Sequence, residues 1–158
     1  MGTPVITIRP MTLDDLDEVV ALEADIQPRP WSDQVFRDEL AADNRTYLVA
    51  AGPDAIVGFG GVMVIGDEAH ITTLLVGEES RRRGVGRKLM STLIESALTR
   101  GAHHVTLEVR SGNEAARALY SSLGLAPVGI RPHYYGDEDA LILWAHDIDR
   151  PEYLENLR

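Results

Sequence analysis

The segment richest in potential chemistry is Arg81-Arg82-Arg83-Gly84-Val85-Gly86-Arg87-Lys88, which follows an apolar extended run and opens a long amphipathic stretch. A helix start presents unpaired backbone N–H groups and about half a positive charge, so anions bind there. Two glycines let the backbone close on a phosphate with no Cβ in the way. Five of the chain's 15 basic residues fall in this segment, against 25 acidic residues in the whole. Cations at a helix start cost roughly 0.3–1 kcal/mol each through the dipole, and a bound polyanion reverses that penalty. A P-loop is excluded, because Gly86 is followed by Arg87-Lys88-Leu89 rather than by Lys and Ser or Thr. A dinucleotide fingerprint needs a third glycine where Leu89 stands, although Glu108 lies at a tolerable distance for a ribose contact. That partial match keeps a nucleotide-binding module open as an alternative.

A second group follows downstream. In Leu107-Glu108-Val109-Arg110, Glu108 falls on the polar side of an alternating run, opposite Val105, Leu107 and Val109. Asn113 and Tyr120 are seven residues apart, close to two helical turns, which places them on one face about 10 Å apart along the axis. Taken singly, Glu108 also reads as a solvated strand carboxylate, Asn113 as an N-cap and Tyr120 as core packing.

The elements that must hold these residues alternate in type along the chain. Residues 5–8 read as a first strand. Thr12 with Asp15 three residues later forms a capping-box pattern, and Leu13, Leu16 and Val20 follow at helical spacing. Ser32 reads as the N-cap of a second helix, with Trp31 and Phe36 spaced as a hydrophobic staple. Residues 46–51 and 56–64 flank the hairpin turn Gly52-Pro53-Asp54-Ala55, and Gly66-Asp67 turns the chain into a strand at 69–76. Leu89, Met90, Leu93, Ile94, Ala97 and Leu98 mark an amphipathic helix from Val85 to the stop at Gly101. A half-buried strand at 105–109 precedes a helix capped by Asn113 and stopped by Gly124. Strands at 125–130 and 140–148 complete an α/β domain, with 149–158 left as a possible extension that packs, pairs weakly or is disordered.

Arg81, Gly84 and Gly86 occupy the three defined positions of Gln/Arg-x-x-Gly-x-Gly/Ala, and the loop resembles the acetyl-CoA motif of the GNAT superfamily. Early Pro30-Trp31-Ser32, Asn113 through Tyr120, Arg131-Pro132-His133-Tyr134-Tyr135 and Glu138-Asp139-Ala140 narrow the resemblance to the RimI branch, the ribosomal-protein-alanine N-acetyltransferases. The resemblance runs through nearly the whole chain. It implies a single mixed α/β domain over 1–158 with a central, mostly antiparallel sheet flanked by helices. Acetyl-CoA is then the co-substrate. Its pyrophosphate lies on Arg82, Arg83, Gly84, Val85, Gly86 and Arg87, and its pantetheine arm on Leu74, Leu75 and Val76, with Asn113 a further contact. Glu108 becomes the proton acceptor and Tyr120 the proton donor. Trp31, Tyr134 and Tyr135 become candidates for lining an acceptor-peptide cleft, with core or rim packing as their plain alternative. The implied acceptor is the N-terminal alanine of small-subunit ribosomal protein eighteen; a lysine or small-molecule amine is the alternative.

Composition bounds the rest. At 158 residues and 44% hydrophobic, the chain fits one ordinary globular domain. A net charge of −10 should repel nucleic acid and suit a basic partner, such as a ribosomal protein terminus. No cysteine is present, which excludes disulfides and an acyl-cysteine intermediate. With no Gly-x-Ser-x-Gly either, direct transfer in a ternary complex is expected. No run approaches the roughly 20 apolar residues of a membrane span, and no signal peptide is evident, so a soluble cytoplasmic protein, monomeric or weakly dimeric, is the expectation. Five scattered histidines without His-x-x-x-His spacing argue for no metal site.

Overall fold

The computed structural model describes residues 5–136 and 138–157. Seven strands form one sheet in the order β1-β2-β3-β4-β5-β7-β6: β1 Thr7–Pro10, β2 Arg45–Ala51, β3 Ile56–Ile65, β4 Glu68–Val76, β5 His104–Arg110, β6 Ala126–Tyr135 and β7 Glu138–Ala145. β1 with β2, β2 with β3, β5 with β7 and β6 with β7 pair antiparallel, and Glu68–His70 of β4 pair parallel with His104–Thr106 of β5. The helices are α1 Leu16–Ile26, α2 Asp33–Ala41, α3 Val85–Thr99, α4 Glu114–Ser122 and α5 Pro151–Leu157. The mixed, mostly antiparallel α/β architecture expected from the sequence is therefore present. The chain gathers into two compact units, one of residues up to Met63 with Thr72–Ser96, the other of Val64–Ile71 with residues from Ala97 onward.

In the first unit, apolar residues of α1, α2 and the strands close one core. Leu16, Val19, Phe36, Val49, Phe59 and Leu75 are buried together, and the Phe36 ring meets Phe59 edge-on with centroids 5.6 Å apart. The staple reading holds: Trp31 and Phe36 centroids lie 5.3 Å apart, and Ser32 Oγ accepts the Val35 N–H at 3.2 Å. The turn at residues 52–55 closes by the Gly52 N–H on Ala55 O at 2.8 Å. Helix α3 buries Leu89, Met90, Leu93 and Ile94 completely. The buried Tyr47 hydroxyl donates to Glu39 at 2.6 Å and meets Thr72 at 2.9 Å. Burial first, then the Glu39 bond, push that phenol well above its ordinary pKa.

Several boundaries differ from expectation for physical reasons. The first strand lies at Thr7–Pro10 rather than 5–8, because its register is set by pairing with residues 48–51 of β2. The strand expected at 125–130 runs on to Tyr135, and the last strand stops at Ala145. Thr106 of β5 is buried, its hydroxyl donating to Leu143 O at 2.8 Å. The C-terminal extension is a helix: Tyr153 Oη donates to Leu123 O at 2.7 Å, and Leu157 is buried. Gly112 has its N–H on Glu138 Oε2 at 2.9 Å, and an added Cβ would lie 2.5 Å from that oxygen. Close approach explains the glycine.

The entry to α1 rests on one carboxylate. Asp15 accepts two guanidinium N–H bonds from Arg9 at 2.8 Å each and the Thr12 N–H at 2.8 Å. Arg9 first, then the Thr12 donors, outweigh burial and hold its pKa at about 2. Because this value lies below the unfolded one, the contribution is complete above about pH 4 and fades as pH falls toward 2. Allowing for the exposed flank of Arg9, Asp15→Asn should cost on the order of 1–2 kcal/mol at pH 7. Urea unfolding of both proteins between pH 7 and pH 2.5 checks this; the gap should narrow on the acid side.

Candidate active site

The passage from β4 into α3 is a tight basic turn. Arg82 (φ 65°) and Gly84 (φ 77°) both take left-handed backbone angles, and residues 81–84 turn before helix begins at Val85. Where left-handed residues alternate with right-handed ones, successive N–H groups face one concavity, an anion nest, and the free N–H groups of a helix's first turn extend it. The helix itself starts with the Lys88 N–H on Gly84 O at 3.0 Å. A Cβ at Gly84 would have nothing within 4 Å, so the space over the loop is open. Arg81, Arg82, Arg83 and Lys88 are not buried, while Val85 is buried and anchors the turn. These residues fit a diphosphate: amide donors, positive charge and an open approach coincide.

Sequence reasoning placed Arg81 in the motif without giving its side chain a role. Its Nε donates to Val76 O at 3.1 Å and ties the loop to the end of β4. Along that strand, Leu75 is buried in the core, whereas Leu74 and Val76 stay half-buried. Leu74, Leu75, Val76 and Arg82 to Arg87, which the resemblance assigns to the donor, thus fall together in the first unit.

Glu108, Asn113 and Tyr120 fall in the second. Glu108, half-buried on β5, lies opposite Ile142 of β7 and receives the Arg131 guanidinium of β6 at 2.9 Å. The Arg131 guanidinium carbon also lies 5.8 Å from the centre of the Tyr134 ring. Asn113 caps α4, its Oδ1 accepting the Ala116 N–H at 3.2 Å, and is exposed. Tyr120, on α4, is 7% exposed. Arg117 adds a bond to Ser111 O at 2.9 Å and secures the approach to the helix.

Tyr134 is presented by an irregularity in β6. Arg131 pairs with Ala140 and Tyr135 with Glu138, so residues 132–134 bulge opposite Asp139 alone. Asp139 Oδ1 accepts the His133 N–H at 3.0 Å, and His133 takes a left-handed φ of 54°. The bulge leaves Tyr134 53% exposed; the Tyr135 side chain lies outside the described residues. Trp31 is half-buried in the first unit, on Phe36. Arg131 and Asp139 were not singled out from sequence as partners of Glu108 and the bulge. Both lie in the strings 131–135 and 138–140, which carried the family resemblance but gave Arg131 and Asp139 no role of their own.

The histidines are less scattered than the sequence suggests. His104 Nδ1 lies 3.2 Å from His146 Nδ1, His146 stacks on Trp144, and His103 pairs with Asp149 at 3.0 Å. Among the described residues no group of three or more His, Cys, Asp or Glu side chains is placed to hold a metal ion.

One mixed sheet of seven strands with a basic, left-handed turn leading into α3 is an architecture shared with a solved N-acetyltransferase. The chain belongs to the acetyltransferase (GNAT) family, whose model matches residues 16–125. It is an acetyl-CoA-dependent N-acetyltransferase of the RimI type. It is 36% identical over 141 residues to the [ribosomal protein bS18]-alanine N-acetyltransferase of Salmonella typhimurium, covering 87% of this chain and 95% of that one. It is 36% identical over 139 residues to the N-alpha-acetyltransferase RimI of Mycobacterium tuberculosis, covering 84% and 86%. The crystal structure of the ribosomal-protein-S18-alanine N-acetyltransferase from Escherichia coli matches with a TM-score of 0.82 at 31% identity, over 90% of this chain and 94% of that one.

Gly84→Ala tests the nest. The left-handed φ should cost about 1–2 kcal/mol of stability, and the new methyl stands in the open approach. Acetyl-CoA affinity, measured by calorimetry, should fall about tenfold or more, and thermal unfolding should show the smaller stability loss separately.

Proposed function

We propose that this enzyme transfers the acetyl group of acetyl-CoA to the α-amine of a protein N-terminus, the N-terminal alanine of small-subunit ribosomal protein S18. The observation that carries the acceptor is the 36% identity, over nearly full length, to a relative named for that substrate. The net charge of −10 supports a basic acceptor. On this reading the protein works in the cytoplasm as a monomer or weak dimer, without nucleic acid, membrane or metal.

Acetyl-CoA supplies the activated thioester. Amides from Arg82 to Arg87 hold its diphosphate, Leu74, Leu75 and Val76 lie along its pantetheine arm, and the Asn113 carboxamide gives a further contact. Trp31, Tyr134 and Tyr135 are acceptor-side residues. An α-amine has a pKa near 7.7–8.0, so roughly a tenth is neutral at pH 7; for a lysine near 10.4 the neutral share is about one in 2,500. A single carboxylate is therefore better matched to an α-amine. Glu108 takes the amine proton, directly or through a water, as the N–C bond forms. Tyr120 gives its proton to the sulfur as the C–S bond breaks. No covalent enzyme intermediate is needed, in keeping with the absence of cysteine.

Release of CoA thiol from acetyl-CoA with a panel of acceptors tests the reading. A basic peptide beginning with alanine should turn over, and its N-terminally blocked form carrying a lysine, or spermidine, should not. Turnover with either of the latter and none with the free terminus would overturn the α-amine assignment. Glu108→Gln and Tyr120→Phe should each lower kcat by about 10²–10⁴-fold with little change in the KM for acetyl-CoA. Undiminished turnover in Tyr120→Phe removes the acid from the mechanism.

A further inference from the structure

The first unit holds two buried carboxylates, and they are satisfied very differently. Asp15 is held by Arg9 and Thr12. Glu23, on α1 and 3% exposed, has among the described residues one hydrogen bond to its side chain, from the Trp31 N–H at 3.2 Å. Burial raises its pKa, and the Trp31 bond only partly opposes this. A carboxyl buried with so little compensation costs stability.

What Glu23 does hold is the α1–α2 connection. Its backbone carbonyl accepts the Gln27 N–H at 2.8 Å, ending α1, while its side chain accepts the Trp31 N–H. Both ends of residues 27–31 therefore close on one residue. Within that stretch Pro28 and Pro30 have no N–H to offer, and the segment forms neither helix nor strand. Trp31 is then carried directly into the Ser32 cap and onto Phe36.

We infer that Glu23 is a positioning residue for the acceptor: its side chain clamps residues 27–31, fixes Trp31, and so sets acceptor affinity without touching the acetyl donor. This rests on Trp31 being an acceptor-side residue, as proposed above. Glu23→Gln keeps a side-chain oxygen that accepts the amide; Glu23→Ala removes it.

The test measures both KM values and kcat with acetyl-CoA and the alanine peptide, together with acrylamide quenching of Trp31 in a Trp144→Phe background, since the chain has two tryptophans. Glu23→Ala should raise the acceptor KM about tenfold, leave acetyl-CoA KM and kcat within about twofold, and increase Trp31 quenching. Glu23→Gln should restore all of these to near the parent values. Should Glu23→Ala fail to fold, Glu23→Asp, too short to reach the amide, takes its place. Unchanged Trp31 quenching would sink the clamp itself. Freed Trp31 with an unchanged acceptor KM would keep the clamp and overturn its link to the acceptor. An equal fall in both affinities and in kcat would mark a merely structural residue.

Discussion

Leucines of helix α3 pack directly over the glycines of strand β3, which leave no room for a side chain of their own. A Cβ at Gly60 would stand 2.9 Å from Leu93 Cδ1 and 3.1 Å from Leu74 Cδ1, and one at Gly58 would stand 2.8 Å from Leu75 O. Interiors packed this tightly do not tolerate even one added methyl without a shift. With α3 fixed on β3, its first turn is fixed beside the end of β4. The chain has only residues 77–84 in which to pass from one to the other. Left-handed angles at Arg82 and Gly84 complete that passage. The shape of the β4–α3 turn is thus tied to packing deep in the first unit.

The residues given roles in the proposed function lie in both units. The first carries the basic β4–α3 loop, the Leu74 to Val76 strand and Trp31. The second carries Glu108, Asn113, Tyr120 and Tyr134. Within each, these segments are held by neighbours with no proposed role of their own: Arg81 on Val76, Arg131 on Glu108, Asp139 under the 132–134 bulge. Such contacts limit rotamer freedom at the groups they hold.

Legibility in the sequence followed the range of the interaction. Helix α3, the Asn113 and Ser32 caps, the Trp31–Phe36 staple and the Gly52 turn all depend on residues a few positions apart, and their pattern could be read directly. Glu108 with Arg131 could not, because β7 separates β5 from β6 and the pair reaches across it. The bulge at 132–134 breaks strand alternation, so a strand seemed to end at 130. Nor does local sequence give a reason for Gly112, whose neighbour Glu138 lies 26 residues away. The tail gave no amphipathic signal long enough to interpret, yet seven residues of it form α5.

That tail changes the mechanical character of α4. At one end the helix is held by the Asn113 cap, with Arg117 on Ser111 and Glu138 on Gly112. At the other, Tyr153 and Asn156 of α5 bond the carbonyls of Leu123 and Ser122. A two-and-a-half-turn rod pinned at both ends has little freedom to pivot or slide. Tyr120 thus sits on a helix tethered at both its ends, and the tail that looked like an appendage is one of the two tethers.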